Sequence, residues 1–147
     1  MTLAPSITIT QIEGFKFVVD FGAAFPALQT DEPGPIGSGS GPSPEQLLIA
    51  GVSNCLCASL AFALGKFGQD SRGVTARVSA SIVRNTERRL RIGGIEVDIT
   101  LGAAAAAMPR IEQVLAQFER FCTVSESVKA GIPVTVVVRD GNGEQLR

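Results

Sequence analysis

Apolar and polar positions alternate near the start of the chain: Ile7 and Ile9, then Phe15, Phe17, Val19 and Phe21, with Gly14 between the two runs. Side chains on a strand point to opposite faces in turn, so this pattern predicts a β-hairpin. Residues 31–44, DEPGPIGSGSGPSP, break all periodicity and are too rich in Gly, Pro and Ser for a packed element. They also lack the Gly-Lys-Ser/Thr ending of a phosphate-binding loop, so a surface crossing is expected there. The segment SPEQLL then carries a helix start, with Ser43 as N-cap, Pro44 at the first helical position and Gln46 completing a capping box. The helix continues as LLIAGVSNCLCASLAFALGKFG, apolar on nearly every face, as a helix inside a protein requires. A membrane span is the competing reading. Gly51, Ser53, Asn54 and Ser59 interrupt it, and neither a second hydrophobic segment nor an aromatic belt accompanies it.

Beyond Gly68, Val74, Ala76, Val78, Ala80 and Ile82 alternate with Thr75, Arg77, Ser79 and Ser81, predicting a long strand with one buried face. In the strand that follows, Leu90 and Ile92 lie on even positions but Ile95, Val97, Ile99 and Leu101 on odd ones. The parity changes at Gly93 and Gly94, which predicts a bulge or tight bend. Pro109 opens PRIEQVLAQFERFC, where Ile111, Val114, Leu115, Phe118 and Cys122 share one helical stripe, so Cys122 is expected to face inward. A short turn-rich helix, TVSESVKAG, leads to a last strand on Ile132, Val134, Val136 and Val138. Strands, buried helix, long strands, helices and strand in that order give an α+β fold in one domain spanning residues 1–147.

Composition narrows the chemistry. With Lys and Arg numbering 13 against 14 Asp and Glu, no basic excess exists to neutralise a run of phosphates, so no nucleic-acid partner is expected. The first residues lack a basic start and a long apolar core, so no secretory signal is read and a cytoplasmic location is expected. His, Trp and Tyr are absent from the sequence, which removes Ser-His triads, Cys-His dyads and His general bases together. The chemistry then falls to Cys55, Cys57 and Cys122. Free cysteines are commonly small buried hydrophobes, and that reading stands beside a redox one. Cys55 and Cys57 lie two apart on a helix, about 200° around its axis, so only one of them can face Cys122. Three sulfurs split over two helix faces do not complete a tetrahedral cage, so no metal is expected. A pair remains: one thiolate attacks a peroxide oxygen and becomes a sulfenic acid, and the second thiol condenses with it to a disulfide.

The stretches GPSPEQLLIAGVSNCLCASL and FCTVSESVKAGIPV resemble the two motifs of the OsmC and organic hydroperoxide resistance family, and the likeness covers nearly the whole chain. The resemblance implies an OsmC-like fold: an intertwined homodimer with long central helices packed between antiparallel sheets and active sites where subunits meet. By position it implies Cys55 as peroxidatic cysteine, Cys122 as resolving cysteine and Glu45 as the glutamate ten residues before the first. Cys57 matches no functional position and is read as packing. On one straight helix Glu45 and Cys55 lie roughly 15 Å apart. Either the helix bends, or Glu45 serves the other subunit's cysteine, or it only stabilises the helix N-terminus through the dipole.

One departure stands out. The organic hydroperoxide branch carries an arginine in its N-terminal strands that holds the cysteine as thiolate, and this chain has none before Arg72. Lys16 or the cluster Arg88, Arg89 and Arg91 could replace it, although such a cluster is more often a solvated strand end. The function expected is reduction of an organic hydroperoxide to its alcohol, with an external thiol or dithiol as reductant and no bound cofactor. Phe62, Phe118 and Phe121 are expected to line an apolar substrate site. The alternative is an OsmC-like ligand-binding or redox-sensing dimer without peroxidase turnover.

Overall fold

The computed structural model describes residues 4–132, 134, 136–139, 145 and 146. Strand β1 (Thr8–Glu13) turns through Gly14, whose φ of 51° favours glycine, into the antiparallel β2 (Lys16–Asp20). A short strand that alternation did not reveal, β3 (Leu28–Thr30), pairs with β2 and gives the order β1-β2-β3. This sheet makes no extensive contact with the rest of the fold. Val19 is buried in it, while Ile7, Ile9, Ile12, Phe15 and Phe21 are exposed.

The Gly- and Ser-rich stretch after β3 has an organising centre that its composition concealed. Asp31 is only 2% exposed. Its carboxylate accepts from the amides of Glu32 (2.8 Å), Ser38 (3.0 Å) and Ser40 (3.1 Å) and from the hydroxyls of Ser38 (2.6 Å) and Ser40 (2.9 Å). These donors, the Ser38 hydroxyl first, hold its carboxyl well below the usual carboxylate range. The loop's donors thus converge on an internal anion, which leaves no cradle for a phosphate. Gly37 is required here, since a Cβ would run into the backbone of Glu32.

Helix α1 (Pro44–Lys66) begins with the predicted capping box: Ser43 Oγ accepts from the Gln46 amide at 3.3 Å, and Gln46 Oε1 accepts from the Ser43 amide at 2.9 Å. It is long and apolar enough to cross a bilayer. In this fold it packs instead on β4, β5 and the later helical segments, as the central helix of the core. Val52, Leu56, Leu60 and Leu64, four residues apart, form its buried stripe. The expectation of burial all round is corrected: Leu48 and Phe62 are exposed, because one chain supplies a partner for only one side of the helix.

Strands β4 (Val74–Arg84) and β5 (Leu90–Leu101) pair antiparallel into a long hairpin. Ser81 faces Gly94 and Ile82 faces Ile92, so Gly93 is the extra residue of the predicted bulge. A Cβ there would press on Val83. Past the bulge, Ile95, Val97, Ile99 and Leu101 all turn toward the core.

The single helix expected from Pro109 to Cys122 is two pieces, α2 (Ile111–Leu115) and a 3-10 turn (Phe118–Phe121), and the short helix expected after it is α3 (Thr123–Ala130). Arg110, not Pro109, precedes the first piece and supplies no capping side chain. Five residues are too few to propagate a helix, and Gln117, at φ −136°, interrupts it. The inward stripe survives the break: Val114, Phe118 and Cys122 are buried, whereas Leu115 is exposed. Helix α3 ends at Gly131 in a left-handed conformation. The last predicted strand includes positions 133 and 135, which lie outside the described residues; Ile132, Val134, Val136 and Val138 are exposed.

Candidate functional site

Helix α1 presents Cys55, Ser59, Phe62 and Lys66 at intervals of four, three and four residues, one continuous helical face. Along this face lies a cavity of about 530 Å³, lined by Cys55, Ser59, Phe62 and Lys66 of α1 and by Gln117 and Phe121 opposite. It is largely apolar, and Lys66 Nζ sits 5.7 Å from the centre of the Phe62 ring. Phe62 and Phe121 therefore take the lining role expected of them. Phe118 does not, because it is drawn into the hydrophobic core with Val114 and Leu60.

The structure brings Cys55 and Cys122 together. Cys122 is fully buried at the N-cap of α3, while Cys55 is half-buried beside the cavity. The neighbouring Cys122 side chain is the main cause of a raised Cys55 pKa; burial adds to it, and the Val124 and Thr123 amides oppose it. None of these leading influences is a cation. Burial alone would raise Cys122, but the Ser125 hydroxyl, Cys55, the Ser125 amide and the Ser59 hydroxyl outweigh it, and the Cys122 thiol lies below its ordinary value. Cys57, on another face of α1, is raised by burial alone. Of two neighbouring sulfurs, the buried one is the better holder of negative charge.

Glu45 is not part of this cluster. It occupies the first turn of the unbroken α1, roughly 15 Å from Cys55 along the axis, and no side-chain bond of its own is formed among the described residues. Lys16 is engaged elsewhere, 2.9 Å from Glu13. Arg88 and Arg89 belong to the β4–β5 turn, where Arg89 meets Glu87 at 3.5 Å. Two residue types escaped the sequence reading. Lys66 was legible in principle from its spacing to Cys55, and Ser125 from the cap-to-third-position spacing after Cys122. Among the described residues no group of His, Cys, Asp and Glu could hold a metal ion.

No curated protein matches the sequence. The fold does have solved counterparts. An OsmC-like protein of Mycoplasma pneumoniae superposes with a TM-score of 0.71 at 15% identity, covering 90% of this chain and 91% of its own. The organic hydroperoxide resistance protein OsmC of Legionella pneumophila gives 0.68 at 16% identity, covering 87% and 92%. The organic hydroperoxide resistance protein OhrB of Bacillus subtilis gives 0.65 at 15%, covering 86% and 92%. At such identities these structures speak to fold alone. The sequence itself matches the family model described as OsmC-like protein over residues 37–137, from the loop before α1 through α3 and beyond, and on that match the chain belongs to the OsmC-like protein family.

Proposed function

We propose that this chain is a thiol-dependent peroxidase that reduces organic hydroperoxides to alcohols, with Cys55 as the attacking sulfur and Cys122 as the resolving one. The observation that carries this reading is the pair itself: a half-buried thiol bordering an apolar cavity, beside a buried thiol whose surroundings favour its thiolate. With one proton between the two sulfurs, Cys55 holds the proton and Cys122 the charge. Cys55 attacks the terminal peroxide oxygen and breaks the O–O bond. Its proton passes to Cys122 and on to the departing alkoxide, which leaves as the alcohol. Cys122, again a thiolate, attacks the Cys55 sulfenic acid; the S–S bond forms and hydroxide is expelled, to be protonated by solvent. An external dithiol then returns two electrons and two protons.

In this reading the anion beside Cys55 takes over the activation that a cation supplies elsewhere, acting as a general base. The chain works as a cytoplasmic homodimer, a proposal supported by the uncovered faces of α1 and of the β1–β3 sheet. Glu45 contributes to a site only across such a dimer, since its own Cys55 is a helix length away. The raised Cys55 pKa favours a second reading, an OsmC-like ligand-binding or redox-sensing dimer that is oxidised without turnover. Consumption of cumene hydroperoxide under excess dithiothreitol or dihydrolipoamide decides. Wild type should turn over repeatedly and Cys55→Ser should not. Activity retained by Cys55→Ser would refute the assignment, and oxidation of the wild type without turnover would select the second reading.

A further inference from the structure

We propose that the first turn of α3, with the Ser125 and Ser59 hydroxyls, is a thiolate-holding site that makes Cys122 the leaving group when the disulfide is reduced, so that the external thiol attacks Cys55. The proposal rests on the peroxidase reading above and assigns the direction of its second half. Access fixes the electrophile: Cys122 is fully buried, and Cys55 is the sulfur that borders the cavity. A thiolate entering through that cavity meets the Cys55 side of the bond.

The surroundings of Cys122 favour its departure. It stands at the N-cap of an eight-residue helix, where the first amides have no partner within the helix and the dipole favours negative charge. Ser125 occupies the third helical position, whose amide an N-cap acceptor ordinarily receives, and with both cysteines free the Cys122 side chain forms no cap bond to it. Independently of the helix end, the Ser125 side chain is 3% exposed and its Oγ completes no hydrogen bond among the described residues. The group it acts on is the Cys122 sulfur. Sulfur in a thiol or a disulfide is a weak acceptor, whereas a thiolate is a strong one. The buried hydroxyl has no partner among the described residues while both cysteines are free thiols, and the charge that gathers on Cys122 as it leaves would supply one, an interaction that strengthens along the reaction and so accelerates it. Ser59, one turn beyond Cys55 on the same face, is a second hydroxyl that lowers the Cys122 thiol. In the step itself the reductant thiolate bonds to Cys55 sulfur, the S–S bond breaks, and its electron pair stays on Cys122. The second thiol of the dithiol then displaces Cys55 and carries the new disulfide away, while solvent returns the proton.

The test separates the two half-reactions. Protein oxidised with one equivalent of cumene hydroperoxide is freed of excess reagent and mixed with 2-mercaptoethanol. Acid quenching, alkylation and mass mapping then locate the mixed disulfide, and reduction by dithiothreitol is timed separately. The adduct is expected on Cys55. Ser125→Ala should slow reduction by about fivefold or more at neutral pH, well beyond any slowing of single-turnover oxidation, and Ser125→Thr should restore it to within about twofold. Ser59→Ala should slow reduction by a smaller factor than Ser125→Ala. An adduct on Cys122 overturns the proposal, as does Ser125→Ala slowing both half-reactions alike or neither. Failure of the wild type to form the disulfide, visible before any thiol is added, sinks the peroxidase reading and this proposal with it.

Discussion

Oxidation by a single equivalent of hydroperoxide should raise the thermal stability of this protein, and by an amount set by chain connectivity. A bond between Cys55 and Cys122 closes a loop of about 68 residues joining the middle of α1 to the start of α3. Closing a loop of that length removes denatured-state entropy worth about 4 kcal/mol at 25 °C. The native structure has little to rearrange, because the two side chains are already neighbours. For a chain near 150 residues each kcal/mol moves the midpoint by about 2–4 °C, so the shift expected is on the order of 10–15 °C. The assay is thermal unfolding by circular dichroism or calorimetry of protein held reduced, compared with protein treated with one equivalent of cumene hydroperoxide. Cys122→Ser treated identically serves as control, and mass spectrometry should show Cys57 unoxidised. An unchanged or lowered midpoint in wild type whose Cys55–Cys122 bond is verified would refute the claim that native packing pre-positions the pair. An equal rise in Cys122→Ser would attribute the effect to something other than that bond.

Further outcomes follow from the same geometry. Because its contact with Cys122 raises the Cys55 thiol, Cys55 stays protonated at neutral pH; its alkylation should climb with a midpoint above the free-thiol value of about 8.5, and Cys122→Ser should move that midpoint down. A wild-type midpoint below the free-thiol value, followed by iodoacetamide labelling and mass spectrometry, would contradict the assigned direction. Lys66 stands eleven residues beyond Cys55 along the cavity, roughly 16 Å by helical rise, about the span of a long acyl chain. Lys66→Gln should therefore raise KM for a hydroperoxide bearing a distal carboxylate by about two- to fivefold and leave cumene hydroperoxide unaffected, as steady-state kinetics would show. Ser43→Ala removes one arm of the capping box before α1 and should cost about 1 kcal/mol in urea unfolding; a loss under a few tenths would mean that the box contributes little.

Much of this architecture was written in local pattern. The capping box at Ser43 and the parity change at Gly93 each rest on a constraint acting within a few residues, and both are present as read. The breaking of the 109–122 segment was not legible, because its inward stripe at Val114, Phe118 and Cys122 is the same whether one helix or two pieces carry it. Periodicity records which side chains face the core, not how the backbone gets there. β3 is three residues long and too short to show alternation. In the site, elimination of other chemistry leaves three cysteines, the choice of Cys55 with Cys122 comes from the family resemblance, and their closeness is a tertiary fact. Asp31 read as one acid in a polar linker, although Ser38 and Ser40 lie seven and nine residues on, and their convergence depends on turns that composition alone does not define.

The three-stranded N-terminal sheet carries Ile7, Ile9, Phe15 and Phe21 outward, exposed among the described residues. If a second copy supplies that cover, folding obeys mass action: each tenfold dilution lowers the apparent stability by about 1.4 kcal/mol per dimer. The melting point of this protein is then a property of the solution as much as of the chain, and comparisons between variants hold only at matched concentration.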